Sequence, residues 1–263
     1  MKLFAIFGDP VSHSISPLLH NIAIKNLNLN ACYTRYHLLD GQKIIESFKN
    51  LNLSGANVTV PHKEIAYKEC NETRGVAKSI KAVNTLVREK DKIIGYNTDA
   101  PGFYESIKSF KKIKKSLILG AGGTAKAIAF ILREHGIEAT ILNRSQNRLD
   151  FFKNNGFNAF DWNNFKIENY DLIINTTPAG LKDSNLPFDE TALNTLMKNS
   201  NYAFDVVYGK TTPFLKLAQE NSLIFKDGSN MLLYQAVLAF NLFYKNRFKP
   251  EIIEKEMKKI FTL

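Results

Sequence analysis

The chain has 263 residues, room for about two domains of ordinary size. With 44% hydrophobic and 23% charged residues its composition is globular, which excludes a disordered, collagen-like or low-complexity chain. Lys and Arg outnumber Asp and Glu by 35 − 25 = 10, so nucleotides, nucleic acid and anionic surfaces all match the charge, and charge alone selects none of them.

Strand-like and helix-like runs alternate from end to end. MKLFAIFGDP has an apolar run of five residues that stops at Gly8, too short for the core of a signal peptide, and reads as a first strand at 3–7. Further strands are expected at 32–37, 55–58, 82–87, 116–119, 139–142, 171–175, 202–206 and 223–225. Ser16-Pro17 supplies a helix N-cap and a first-turn proline before LLHNIAIKNL, and Thr212-Pro213 does the same before FLKLAQE. This alternation predicts an α/β protein with parallel sheets. The run Lys111-Lys112-Ile113-Lys114-Lys115 reads as a solvated helix end beside a domain boundary. Residues 230–244 and 250–261 carry two amphipathic helix patterns with no strand between them, a helical tail. The apolar stretch 117–132 is broken by Gly and by polar residues including Lys126, so no membrane span is expected. Cys32 and Cys70 form no CxxC and no disulfide framework, which fits a reducing cytoplasm.

The strand Leu117-Ile118-Leu119 runs into Gly120-Ala121-Gly122-Gly123-Thr124-Ala125, then a helix at 126–132 and the next strand at 139–142. In such a turn the first Gly permits the tight bend, the second lets a pyrophosphate approach the backbone, and Ala125 allows close helix-to-strand packing, while the helix N-terminus attracts phosphate. The strand before and the helix after raise this above an isolated glycine pattern. An NAD site ends its second strand in Asp or Glu, and here Asn143 stands there, followed by Arg144 and Arg148. Two guanidinium groups suit an adenine ring and a 2′-phosphate, so NADP(H) is favoured over NAD.

Three loops in the first half are dense in small polar groups: GDPVSHSISP, GANVTVPHK, and AVNT with GYNTD. Ser14, Ser16, Asn57, Thr59, Asn84 and Thr98 offer neutral hydrogen bonds suited to hydroxyls and a carboxylate, and Lys63 and Asp99 add one charge of each sign. Such a lining suits a polyol acid, although Ser, Asn and Asp are also ordinary turn residues.

GDPVSHSISPLLHN, GANVTVPHK, AVNT, GYNTD, GAGGTA, NTTPAGL, DVVYGKTTPFL and GSNMLLYQA, in this order from residue 8 to residue 236, resemble the shikimate dehydrogenase family. The resemblance implies an N-terminal substrate-binding α/β domain (1–100 plus 236–263) and a Rossmann-like NADP-binding domain (101–235), with the C-terminal helices returning to the first. It implies NADPH-dependent reduction of 3-dehydroshikimate to shikimate in the cleft between the domains. The matched positions make Lys63 and Asp99 the catalytic pair, and Ser14, Ser16, Asn57, Thr59, Asn84, Tyr208 and Gln235 substrate contacts. The turn from Gly120 to Ala125, with Asn143, Arg144, Arg148, Thr176 and Gly228, is implied to hold the cofactor, Gly228 near the nicotinamide. Two positions depart from the family pattern: Lys81 stands where Gly is usual, and Lys126 where Arg is commoner.

Hydride delivered to a ketone leaves an alkoxide, which needs an acid within hydrogen-bond reach. Lys63 can supply the proton, or can stabilise the alkoxide while water supplies it, and both readings stand. No step calls for a Schiff base. His13, His20 and His62 are scattered and read as hydrogen-bonding loop or cap residues, so no metal is expected. The rival readings are a quinate or quinate/shikimate dehydrogenase, whose usual mark would be an acid in place of Asn143, and a regulatory protein that binds without turnover, for which intact Lys63 and Asp99 are superfluous. A nucleic-acid binder lacks the interleaved aromatic and basic residues it would need. The expected partners are small molecules, with no nucleic acid or membrane, for a monomer or homodimer.

Overall fold

Along the first strand, β1 (Lys2–Gly8), Phe4 and Ile6 join one apolar cluster and Ala5 and Phe7 another, so the alternation of a strand feeds two cores, one on each face of its sheet. In this computed structural model, which describes residues 1–262, the other strands of that sheet are β2 (Ala31–His37), β3 (Gly55–Val58), β4 (Glu72–Thr73), β5 (Thr85–Glu89) and β6 (Lys92–Tyr96). Their order is β2-β1-β3-β5-β6-β4. β1 runs parallel to β2 and β3, but β5 is antiparallel to both β3 and β6. The expectation of purely parallel sheets is corrected here: the β5–β6 hairpin turns back through Lys90, left-handed at φ 54°, and needs no crossover helix. The expected strand at 82–87 lies instead at β5.

The helices of this region are α1 (Ser16–Asn26), α2 (Ile44–Asn50), α3 (Lys63–Glu69), α4 (Ala77–Ile80) and α5 (Asp99–Ile107). The N-cap of α1 is Ile15, not Ser16, and no side chain caps it. Ser16 is the first helical residue, so its hydroxyl is not consumed by capping. At the other end of α4, Lys81 is the C-cap in the left-handed conformation, φ 56° and ψ 37°. That conformation favours glycine, which accounts for the residue the family pattern places there.

The second region contains β7 (Lys115–Leu119), α6 (Gly123–Glu134), β8 (Glu138–Asn143), α7 (Asp150–Asn154), β9 (Asn158–Asp161), β10 (Leu172–Asn175), α8 (Glu190–Lys198), β11 (Tyr202–Asp205), α9 (Pro213–Glu220) and β12 (Ile224–Lys226). Every pairing in its sheet is parallel, in the order β12-β11-β10-β7-β8-β9. Counted from β7, this is the doubly wound arrangement whose strand order reverses between the first and fourth strands, here β7 and β10. Thr212 caps α9 by accepting from the Leu215 N–H, as its sequence signal requires.

Two helices close the chain, α10 (Ser229–Phe243) and α11 (Pro250–Lys258). Leu233, Val237, Phe240, Phe243, Ile253 and Met257 pack with Phe4, Ile6, Leu19 and Tyr33, and the Phe243 ring stacks on Phe4 at 4.8 Å. Each such buried side chain is worth roughly 1.5–3 kcal/mol, enough to return the tail to the first sheet. The fold is thus α/β in two compact units, Met1–Gly102 with the chain from Leu232 onward, and Phe103–Met231; the division falls inside α5.

Candidate active site

In the first unit, Lys63 opens α3 and Asp99 opens α5, and Lys63 Nζ lies 2.6 Å from Asp99 Oδ2 with the side chains only 15% and 11% exposed. Partial burial protects this ion pair from the screening that weakens surface pairs. Asp99 also lies at the positive end of the α5 dipole. One N–H of the ammonium is engaged by Asp99, leaving two for a ligand.

A buried hydrogen-bonded lattice leads up to this pair. Thr98 donates its backbone N–H to Asn84 Oδ1 at 2.8 Å, and Asn84 Nδ2 donates to Thr98 Oγ1 at 2.9 Å. Asn57 Nδ2 donates to Asn84 O at 3.2 Å and to Thr85 Oγ1 at 3.1 Å, while its Oδ1 accepts the Tyr33 hydroxyl at 2.7 Å. Burial pushes the Tyr33 hydroxyl well above its ordinary value, so it stays a donor. Both amide hydrogens of Asn57 are therefore spent inside the protein, and what it can still offer a ligand is an acceptor. Tyr33 and Thr85 were not singled out from sequence; their partner Asn57 is 24 and 28 residues away, beyond any short-range signal.

Ser14 and Ser16 are 9% and 4% exposed, the Ser16 N–H donates to Ser14 Oγ at 3.3 Å, and neither hydroxyl donates to a partner among the described residues. Thr59, half-buried, follows β3 and is held by its backbone N–H on Phe7 O at 2.9 Å. Gln235, on α10, is in the same unit: a Cβ at Gly102, one turn after Asp99, would come within 2.8 Å of its backbone nitrogen, so only glycine lets α5 and α10 approach this closely.

The second unit holds the other predicted residues. Gly120 follows β7 at φ 108°, and a Cβ there would meet Thr176 Oγ1 at 2.6 Å; Thr176 in turn donates to Leu119 O at 2.7 Å, joining the ends of β7 and β10. Gly122 is the N-cap of α6 and contributes no side-chain cap, so the first N–H groups of α6, at Gly123, Thr124 and Ala125, lack the partner a capping side chain would supply. Open space surrounds the Cβ positions of Gly122 and Gly123, while Ala121 and Ala125 are buried. Asn143 Nδ2 donates to Ser145 O at 2.8 Å and folds the following turn, on which Arg144 and Arg148 are exposed and make no ion pair among the described residues. A glycine cradle at an uncapped helix end, with two uncompensated cations past the next strand, fits a dinucleotide bearing a 2′-phosphate.

Tyr208 and Gly228 are also in this unit. Burial pushes the Tyr208 hydroxyl up, keeping it protonated, and a Cβ at Gly228 would lie 2.2 Å from Val206 O. Asp205, absent from the predicted set, is fully buried: its Oδ1 accepts from Asn175 Nδ2 at 3.1 Å and from the Val207 N–H at 3.0 Å, and its Oδ2 from Thr212 Oγ1 at 2.6 Å. Burial pushes its carboxyl up, against three donors that favour the charged form. It anchors the segments on which Thr176 and Tyr208 stand.

Residues 6–86 match the family described as the shikimate dehydrogenase substrate binding domain. The chain is 49% identical over 256 residues to the shikimate dehydrogenase (NADP(+)) of Helicobacter hepaticus, covering 97% of this chain and 95% of that one. It is 43% identical over 265 residues to the protein of the same name from Helicobacter pylori strain 26695, covering 99% of each. Among solved structures, shikimate 5-dehydrogenase from Thermus thermophilus in complex with NADP(H) and shikimate superposes with a TM-score of 0.85 at 32% identity, covering 98% of this chain and 99% of that one. Shikimate dehydrogenase from Aquifex aeolicus gives the same TM-score at 32% identity, covering 98% of each chain.

Proposed function

The chain belongs to the shikimate dehydrogenase family, and from that premise we infer that it reduces 3-dehydroshikimate reversibly to shikimate with NADPH, a step of the shikimate pathway. The observation that supports the reading best is the 2.6 Å pair of Lys63 and Asp99, set among the polar loops carrying Ser14, Ser16, Asn57, Thr59 and Asn84.

The cofactor supplies hydride equivalents when bound; the chain's residues do the rest. The turn from Gly120 to Ala125 takes the pyrophosphate on its N–H groups, Asn143 orders the turn after β8, and Arg144 and Arg148 take the 2′-phosphate, which is the basis of NADP preference. Ser14, Ser16, Thr59 and Asn84, with Gln235, orient the hydroxyls and carboxylate of the substrate, and Asn57 adds an acceptor. As negative charge develops on the carbonyl oxygen, Lys63 hydrogen-bonds it and passes a proton to it, while Asp99 holds the ammonium and accepts from the neighbouring substrate hydroxyl. The reading places the enzyme in a reducing cytoplasm, where Cys32 and Cys70 stay thiols, as a monomer or homodimer.

The test is NADPH oxidation with 3-dehydroshikimate, beside NADP and NAD reduction with shikimate and with quinate. Turnover of the shikimate pair with NADP supports the reading. Turnover of quinate alone, or none with any substrate, overturns it.

A further inference from the structure

Lys63 is neutralised by Asp99, so the first-unit site as described brings no net positive charge to a carboxylate ligand. Arg35, on the edge strand β2, changes that balance. Its Nε and Nη2 both donate to the carbonyl of Ser14, at 2.9 and 2.6 Å, and no carboxylate pairs with it among the described residues. The Ser14 N–H donates to Val11 O at 3.1 Å and Ser14 Oγ accepts from the Ser16 N–H, so a guanidinium fork closes a tight loop that presents two buried hydroxyls with unspent protons. A planar fork on one carbonyl fixes that peptide more firmly than a single donor, and it places an uncompensated charge one peptide away from both hydroxyls.

We propose that Arg35 is a positioning residue for the substrate's carboxylate: through the Ser14 carbonyl it aims the Ser14 and Ser16 hydroxyls, and its charge favours an anionic over a neutral ligand at that end. This rests on the reading of the enzyme given above.

The test compares R35Q and R35K with the wild type, using shikimate and its neutral methyl ester, the ester followed as substrate or as competitive inhibitor, at low and at high ionic strength. R35Q is expected to raise the KM for shikimate roughly five- to twentyfold at low salt, with kcat within about twofold. The KM for NADP and the melting temperature should stay near wild type. The ester's constant should move less than about twofold, so that acid and ester become less distinct, and the wild type's preference for the acid should shrink as salt rises. R35K, which keeps the charge and loses the fork, should recover part of the shikimate KM. An unchanged shikimate KM in R35Q overturns the proposal. So does an equal loss for acid and ester, or a loss that tracks a lowered melting temperature. A wild type inactive on shikimate overturns the functional reading and takes this inference with it, whereas an active wild type matched by R35Q removes this inference alone.

Discussion

The imidazole of His20 lies flat on the ring of Tyr33, with centroids 4.2 Å apart and planes 9° from parallel. Phe240 and Phe243 flank the same imidazole, and neither of its nitrogens has a hydrogen-bond partner among the described residues. His20 is thus not the hydrogen-bonding loop or cap residue expected from the sequence but a neutral aromatic of α1 in the core, directly beneath the tyrosine whose hydroxyl holds Asn57.

Burial lowers the His20 pKa from 6.5 to about 3. A base with a depressed folded value contributes fully above the unfolded pKa, and stability is lost as pH falls below 6.5 toward 3, because the unfolded chain takes the proton first. The loss at pH 5 should be about 2 kcal/mol. Urea unfolding of wild type and His20→Leu between pH 7.5 and 4.5 checks it: the variant should lose about one proton's worth of slope, and parallel curves would mean that another group sets the acid limit.

Replacing Lys63 by Ala should lower kcat by roughly a hundredfold or more, with a much smaller change in shikimate affinity, because the ammonium acts mainly as charge develops on oxygen. Steady-state kinetics paired with equilibrium binding of shikimate measure both. Turnover at the wild-type rate would remove Lys63 from the chemistry.

Changing Arg144 and Arg148 together to Ala should weaken NADP binding by about 3–6 kcal/mol, the sum of two charge-assisted contacts, and leave NAD nearly unchanged. Adding Asn143→Asp should improve NAD, since a carboxylate there accepts from the free ribose hydroxyls and repels a 2′-phosphate. Titration calorimetry with the two nucleotides distinguishes this from a shared pyrophosphate role, in which both would weaken equally.

Lys81→Gly should stabilise the protein by about 1 kcal/mol, because the left-handed C-cap of α4 costs a side-chain-bearing residue that much and glycine almost nothing. Lys81→Ala should bring no such gain. Thermal melting of the three proteins decides it; equal gains for Gly and Ala would point to relief of lysine charge instead.

The glycine turn between β7 and α6 and the cap at Thr212 were legible because each signal lies within a few residues of the feature it specifies. β4, β6 and β9 were not. β4 is two residues long, β9 is a four-residue edge strand, and the β5–β6 hairpin turns through Lys90 in place of the Asn-Gly or Asp-Gly that announces such a turn. The candidate site divides the same way. Lys63 and Asp99 stand in contiguous motifs, whereas Arg35 and Tyr33 owe their roles to partners that only folding brings near.

The packing of the tail on Phe4, Ile6 and Tyr33 sets an order of events on the ribosome. The first 102 residues emerge long before the helices that cover one face of their sheet, while the unit from Phe103 to Met231 is contiguous and has all its own strands. At elongation rates of about 5–20 residues per second, the nascent first sheet waits roughly 6–26 seconds for the tail that covers it. The later-synthesised unit can complete its fold first, and the earlier one finishes only once the helices from Leu232 onward have emerged.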